Sequence, residues 1–212
     1  IQVVLLYRKR EHFRRSYRLS LAFLALVILT GLFGAIVVRL NLAHLSISVH
    51  LLFAILLLQV QLGLLLSVQL KWFAIPVPAT LRKWVMTFLV ILTLQSIWGT
   101  MVRMYVDDVS KMLQYEQRES WLADSPAAFL IHRSFSWIVL LSGLLLAWYA
   151  RNVEAIRNKV YILAGIVLMS MITGIVLFYA GMPAVAQPLH LLLASFAITQ
   201  SVNILLQTTK TQ

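Results

Sequence analysis

The chain contains no cysteine and little charge. Charged side chains make up 12% of its 212 residues, only seven residues are Asp or Glu, and 61% are hydrophobic. The absence of cysteine excludes a disulfide framework, a thiolate zinc site, an iron–sulfur cluster and a cysteine nucleophile. Soluble domains carry about 25% charged residues, so the shortage of charge excludes an ordinary water-soluble globule. The high apolar content excludes a disordered chain, and the composition predicts a membrane protein with several spans.

Six apolar runs are long enough to cross a bilayer. They are residues 19–38, 47–70, 84–104, 128–149, 160–180 and 186–206. A helix needs about 20 mostly apolar residues to cross the hydrocarbon core, and in lipid the backbone must satisfy its own polar groups. The predicted fold is therefore all-α, a polytopic membrane helix bundle with six visible spans.

The basic residues predict an orientation. The net charge is +11, and thirteen of the 18 Lys and Arg residues fall on one side of the predicted membrane. They are Arg8, Lys9, Arg10, Arg14, Arg15, Arg18, Lys71, Arg82, Lys83, Arg151, Arg157, Lys159 and Lys210. The positive-inside rule assigns this side and both visible termini to the cytoplasm. We expect a location in a bacterial plasma membrane, and we interpret the positive charge as an orientation signal and not as a sign of nucleic-acid binding.

The predicted outer side carries one long loop, residues 105–127, which holds five of the seven acidic residues. Within it, Val106, Val109, Met112 and Leu113 have the spacing of one apolar helix face. Two interpretations are open here, a helix lying on the membrane surface and a solvated loop.

Two stretches of the chain resemble each other and predict a duplicated unit. Thr30-Gly31 followed by His50-Leu51-Leu52-Phe53-Ala54 corresponds to Thr173-Gly174 followed by His190-Leu191-Leu192-Leu193-Ala194. Ordered similarity over such a distance indicates an internal repeat. The second copy shows four helices and the first shows two, so we expect the intact protein to carry two more helices before Ile1, with a histidine on the second.

The repeat divides the chain into four predicted segments. Residues 1–70 are the remainder of an N-terminal four-helix half, and 71–83 are a cytoplasmic linker. Residues 84–206 form the C-terminal four-helix half, and 207–212 are a cytoplasmic tail.

Three histidines lie inside apolar helices. His50, His132 and His190 are the fourth or fifth residues of spans that start on the outer side, so the constant rise of a helix places them at one depth. Ionisable groups within a membrane are costly and are functional candidates. Two such histidines in one four-helix unit predict a site, although hydrogen-bonded packing residues are the alternative.

The histidine pair favours heme. The spans contain no Cys, Asp or Glu, which disfavours zinc and a proton relay. Heme needs axial imidazoles in an apolar slot, which helix bundles provide, and we expect these two on neighbouring helices. Arg133 and Arg103 can pair with the propionates, with Arg39 as the counterpart in the first copy, or all three can snorkel to lipid headgroups.

Several motifs together resemble one known family. They are Gln95-Ser96-Ile97-Trp98-Gly99-Thr100-Met101-Val102-Arg103, His132-Arg133-Ser134-Phe135-Ser136, Gln187-Pro188-Leu189-His190-Leu191-Leu192-Leu193-Ala194 and Val49-His50-Leu51-Leu52. In this order and spacing they resemble the heme A synthase family. That family has eight helices in two four-helix halves with a histidine pair in each, and the chain matches helices three to eight and the end of helix two.

The resemblance implies roles for these residues. His132 and His190 would be the axial ligands of a heme b cofactor, and His50 would belong to the half that binds heme O. The reaction oxidises the C8 methyl of heme O to a formyl group. The catalytic residues are expected before Ile1, so we expect this stretch alone to hold the cofactor but not to turn over substrate.

The implied partners are heme O, membrane lipid and an electron donor that the sequence does not identify. A second copy of the chain or the enzyme that makes heme O is a further expected partner. Two other functions stay open at this point: a non-catalytic heme b electron carrier in the membrane, and a transporter or assembly scaffold whose histidines only pack.

Overall fold

The computed structural model describes residues 1–40, 44–68, 75–124 and 126–210, and helices dominate this part of the chain. The helices are α1 (Gln2–Arg8), α2 (Arg14–Arg39), α3 (His44–Val68), α4 (Ala79–Met112), α5 (Ala127–Ala150), α6 (Glu154–Tyr179) and α7 (Ala186–Gln207). Six of them, α2 to α7, are long and apolar enough to cross a membrane. The prediction of an all-α polytopic bundle with six visible spans is confirmed.

Large apolar side chains cover the outside of these helices. Leu141, Leu144 and Ile162 are among the many that are more than half exposed. A water-soluble bundle would bury such residues, whereas a helix in lipid gains nothing from doing so because the lipid tails are equally apolar. The exposed leucines and isoleucines therefore lie where lipid contacts are expected.

The chain divides into two compact units, residues 1–74 and 75–212. Unit 1 contains α2 and α3, which pack against each other, and α1, which packs on α2. The hydroxyl of Ser16 donates to the carbonyl of Ser67 at 3.1 Å, which joins the start of α2 to the end of α3. The two helices therefore form an antiparallel hairpin.

Unit 2 is a four-helix bundle. α4 contacts α5 and α7, and α6 contacts the same two helices. The helices thus close into a ring in which α5 and α7 lie diagonally across the interior. The largest fully buried side chains are Phe88, Leu146, Ile156, Leu163 and Ile204.

Two short strands close one end of unit 2. β1 (Ile75–Val77) pairs in parallel with β2 (Thr208–Lys210), with Ile75 opposite Thr208. Arg82 Nε donates to the carbonyl of Thr208 at 3.4 Å. This pairing holds the start of α4 next to the end of α7. It was not expected from the sequence, which predicted a linker at 71–83 and a tail at 207–212; residues 71–74 and 211–212 lie outside the described residues.

The segment with helical apolar spacing in the long loop is helical, and the interpretation as a solvated loop is wrong; the helix is the continuation of α4. α4 continues through it to Met112 and has 34 residues, which gives it a length of about 51 Å. Val106 is buried in a cap cluster with Trp121, Leu122, Phe129 and Met182. The apolar spacing therefore reflects the continuing face of α4, on which the rest of the loop packs.

Candidate functional site

His132 on α5 and His190 on α7 meet inside unit 2. Their ring centroids are 6.3 Å apart, and the ring planes are inclined by 76°. The prediction of neighbouring helices is wrong, because α5 and α7 are diagonal in the bundle. Diagonal helices both direct one face at the bundle axis, which brings the two imidazoles together at one level.

A backbone carbonyl on α4 fixes the ring of His132. Nδ1 of His132 lies 3.2 Å from the carbonyl oxygen of Gln95. A carbonyl can only accept a hydrogen bond, so Nδ1 carries the proton and donates it. The side-chain amide of Gln95 donates to the carbonyl of His132 at 3.0 Å, and its nitrogen is 3.5 Å from Nε2. A donor facing Nε2 agrees with a lone pair on that nitrogen.

The same arrangement holds His190 on α6. Nδ1 of His190 is 2.9 Å from the carbonyl oxygen of Ser170 and 3.0 Å from Oγ1 of Thr173. The Thr173 hydroxyl donates to the Ser170 carbonyl at 2.8 Å, so its oxygen is left as an acceptor. Both oxygens accept, and Nδ1 of His190 is therefore the protonated nitrogen.

A glycine lies against each ring. A Cβ at Gly99 would be 3.1 Å from Cε1 of His132, and one at Gly174 would be 3.3 Å from Cε1 of His190. Sequence reasoning noted these glycines only as small packing residues. A usable signal was present, because Gly174 and His190 have the same separation along the chain as Gly34 and His50.

That spacing also corrects the register of the repeat. The sequence comparison aligned Gly31 with Gly174, but nothing lies within 4 Å of a Cβ at Gly31, whereas a Cβ at Gly34 would be 3.2 Å from Cε1 of His50. Gly34 is thus the structural equivalent of Gly174, and it lies further along α2 than Gly31.

His50 differs from the other two rings in its hydrogen bonding. Its Nδ1 is buried, and no described residue provides it with a hydrogen-bond partner. The residue directly before the facing glycine, which is Thr173 in the second copy, is Phe33 here. The Phe33 ring packs edge-on against Phe53, with centroids 5.4 Å apart. Unit 1 therefore repeats the close approach of ring and glycine without the hydroxyl.

Comparison with known proteins identifies the family. The sequence model of the family described as cytochrome oxidase assembly protein, COX15-CtaA, matches residues 1–202. The chain belongs to this family, the heme A synthase family. No curated protein matches the chain, and no solved structure matches it.

Membership of the heme A synthase family confirms the resemblance seen in the sequence motifs. Together with the six apolar helices, it identifies the chain as an integral multi-pass membrane protein. Its role is in cytochrome oxidase assembly, at the provision of heme A. This role is consistent with an oxidoreductase.

The histidine pair fits the iron of a heme. No group of three or more His, Cys, Asp or Glu side chains gathers anywhere in the described part of the chain, so the candidate metal ligands of unit 2 are the two imidazoles. The two ring centroids are 6.3 Å apart, and Nδ1 of each ring is hydrogen-bonded to a backbone carbonyl, so each ring has one further nitrogen. Two imidazole nitrogens are a donor set that heme iron takes.

The three arginines that were predicted to pair with heme propionates are exposed in the structure. Arg103 Nε is 3.8 Å from Oδ2 of Asp107, one turn further along α4. The guanidinium of Arg133 lies 5.8 Å from the ring centroid of Phe129, and Arg39 is the last residue of α2. Arg133 directly follows His132, and Arg103 is one turn beyond Gly99, so both lie at the end of unit 2 that holds the histidines.

Proposed function

We propose that this protein is a heme A synthase, which oxidises the C8 methyl of heme O to a formyl group and holds a heme b cofactor between His132 and His190. The observation that carries the proposal is the geometry of the pair. Two imidazoles from diagonal helices lie 6.3 Å apart, and each uses Nδ1 in a hydrogen bond to a backbone carbonyl. Nε2 of each ring would be the nitrogen that holds a metal; at His132 it has the Gln95 side-chain nitrogen 3.5 Å away.

His132 and His190 would hold the cofactor through their Nε2 atoms. A heme b held there would supply one-electron transfer. The backbone hydrogen bonds keep both rings in one orientation. These residues would therefore bind and hold an electron carrier.

His50 and Arg39 are the residues proposed for heme O in unit 1. His50 lies against Gly34 as the other two histidines lie against their glycines, which supports the same kind of ligand role. Arg103 and Arg133 are proposed to pair with the propionates of the cofactor. Charge-assisted hydrogen bonds of this kind are stronger than neutral ones, and both side chains lie at the correct end of unit 2.

We also propose the predicted orientation, in a bacterial plasma membrane. The β1–β2 end of unit 2 carries Arg82 and Lys83 near the start of α4, and Arg151, Arg157 and Lys159 where α5 joins α6. The positive-inside rule assigns that end to the cytoplasm. The histidine pair then lies toward the outer side.

The test is a pigment analysis of the full-length protein, expressed in cells that make heme O. We expect the purified protein to show the Soret band of heme b and the cells to accumulate heme A. Substitution of His132→Ala or His190→Ala should remove the band, while His12→Ala, in the basic segment before α2, should keep it. Heme b without any heme A would indicate an electron carrier, and an unchanged band in both variants would contradict the proposed site.

A further inference from the structure

We propose that Gly99 and Gly174 are positioning residues for the two iron ligands, and that the backbone carbonyls of Gln95 and Ser170 set the tautomer of His132 and His190. This inference rests on the proposed function, because it concerns how the same two imidazoles are prepared to bind iron.

The two glycines expose the carbonyls to which the rings bind. In an α-helix each Cβ tilts toward the N-terminus, so the side chain of a residue lies over the preceding turn, where the carbonyl four residues earlier is found. Gly99 is four residues after Gln95, and Gly174 is four residues after Ser170. Without a side chain at these positions, the carbonyl oxygen can be reached from the bundle interior.

The distances show that a side chain at either position would crowd the ring and force it to shift by a few tenths of an ångström. A Cβ at position 99 or 174 would be 3.1 or 3.3 Å from Cε1 of the facing imidazole. Cε1 is bonded to Nδ1, the atom that reaches the carbonyl at 3.2 Å in His132 and 2.9 Å in His190. A methyl group would push the ring away along the same direction and lengthen the hydrogen bond.

The hydrogen bond decides which nitrogen can bind a metal. With the proton on Nδ1, Nε2 carries the lone pair before any metal arrives. Metal-binding histidines commonly donate their other N–H to a carbonyl, which fixes the ring and makes the ligand nitrogen more basic. The glycine and the carbonyl four residues before it therefore act together on the facing ring. This pair occurs on α4 and again on α6.

The described part of unit 1 has the close contact between glycine and ring without the hydrogen bond to Nδ1. Gly34 permits the close approach, at 3.2 Å from Cε1 of His50, but within the described residues Nδ1 of His50 has no acceptor. Close approach alone thus does not make the bond, and the tautomer of His50 is not set in this way.

The first measurement needs no heme. In the full-length protein without heme, labelled with ¹⁵N-histidine, nitrogen chemical shifts report which ring nitrogen is protonated. We expect His132 and His190 to carry the proton on Nδ1. The Gly99→Ala variant should lose this state at His132 alone, and Gly174→Ala should lose it at His190 alone. The matched control is Gly165→Ala, also on α6, where nothing lies within 4 Å of the added Cβ.

The second measurement uses the protein loaded with heme b. Loss of a partner of a ligating histidine typically costs about 10- to 100-fold in metal affinity, so Gly99→Ala and Gly174→Ala should lose heme that much more readily than Gly165→Ala. A less basic imidazole stabilises ferric iron less, so the midpoint potential of any retained heme should rise.

The outcomes distinguish this inference from the proposed function. An Nε2-protonated His132 or His190 in the heme-free wild-type chain would overturn the inference even if heme b binds. Equal heme retention and potential in Gly174→Ala and Gly165→Ala would overturn it as well. A chain that shows the expected tautomers but never binds heme would instead contradict the proposed function. If the alanine variants do not fold, the tautomers of His132 and His190 in the wild-type chain still test the inference.

Discussion

Gly174 on α6 lies directly against the imidazole of His190 on α7, and the Cβ that it lacks would be 3.3 Å from Cε1 of the ring. The contact joins two helices that pack along their length, and it repeats between α4 and α5 in unit 2 and between α2 and α3 in unit 1. In each case the ring takes the place of a side chain on the facing helix. The histidine and the glycine therefore fix the relative register of the two helices as well as the position of the ring.

This contact predicts that Gly165→Ala and Gly174→Ala, two glycine substitutions on α6, have opposite effects on the free energy of unfolding. Gly→Ala in a helix interior normally stabilises by about 0.5–1 kcal/mol, which we expect for Gly165→Ala because the added methyl meets nothing within 4 Å. Gly174→Ala must displace the ring, and overpacking costs about 1–3 kcal/mol, so we expect a net loss of stability. Denaturant unfolding of the heme-free protein in detergent micelles measures both; equal stability of the two variants would show that the ring is not held against α6.

The ion pair of Arg103 and Asp107 predicts a competition with heme propionate. Arg103 Nε is 3.8 Å from the Asp107 carboxylate, and if it binds a propionate it must leave that partner. Asp107→Asn should therefore raise the affinity for heme b, whereas Arg103→Leu should lower it by roughly 10- to 150-fold, since a hydrogen bond to a charged group is worth about 1.5–3 kcal/mol. Heme titration followed at the Soret band measures both variants. If neither changes the affinity, Arg103 only contacts Asp107 and the membrane surface.

The cap cluster predicts one large stability effect far from the histidines. Trp121 is 4% exposed, its indole N–H donates to the carbonyl of Glu116 at 2.8 Å, and the guanidinium of Arg118 lies 5.3 Å from its ring. Trp121→Ala should cost about 3–5 kcal/mol. Trp137 on α5 is the control, because it is 56% exposed and its truncation should cost far less. Thermal unfolding compares the two, and a similar cost for both would show that the cap does not support unit 2.

The sequence predicted the spans because lipid imposes one strong requirement, a long apolar run without charge. It did not predict where α4 ends, since Val106 has the same apolar spacing whether it faces a membrane surface or a packed loop. The decisive partner, Trp121, lies beyond the end of α4. The β1–β2 pair was missed for a similar reason, because each strand is very short and its partner is at the other end of unit 2 in the sequence.

The sequence predicted how deep in the membrane the candidate site lies, but not the detailed geometry of the site. Counting residues from the span starts placed His132 and His190 at one level, and the structure brings them together. Their diagonal arrangement depends on the order in which four helices pack, which hydropathy does not encode. The equal separation of Gly34 from His50 and of Gly174 from His190 marked the glycines, but their role depends on backbone oxygen atoms, which every residue has, so residue types did not indicate it.

The last prediction concerns His50, whose Nδ1 has no partner among the described residues. Phe33 stands where the second copy has Thr173, whose hydroxyl lies 3.0 Å from Nδ1 of His190. Phe33→Thr should supply that oxygen and shift His50 toward the Nδ1-protonated form. If His50 binds heme O, its dissociation should then slow by roughly 2- to 10-fold, since a net hydrogen bond is worth about 0.5–1.5 kcal/mol.

Phe33→Val is the matched control for this change, because valine has nearly the shape of threonine and no hydroxyl. Both variants lose the contact with Phe53, so only the oxygen distinguishes them. Nitrogen chemical shifts of ¹⁵N-labelled histidine report the tautomer, and stopped-flow transfer of heme O to an acceptor protein reports the rate. Identical shifts and rates in the two variants would contradict the equivalence of Phe33 and Thr173, and with it the idea that the hydroxyl helps to hold the ring.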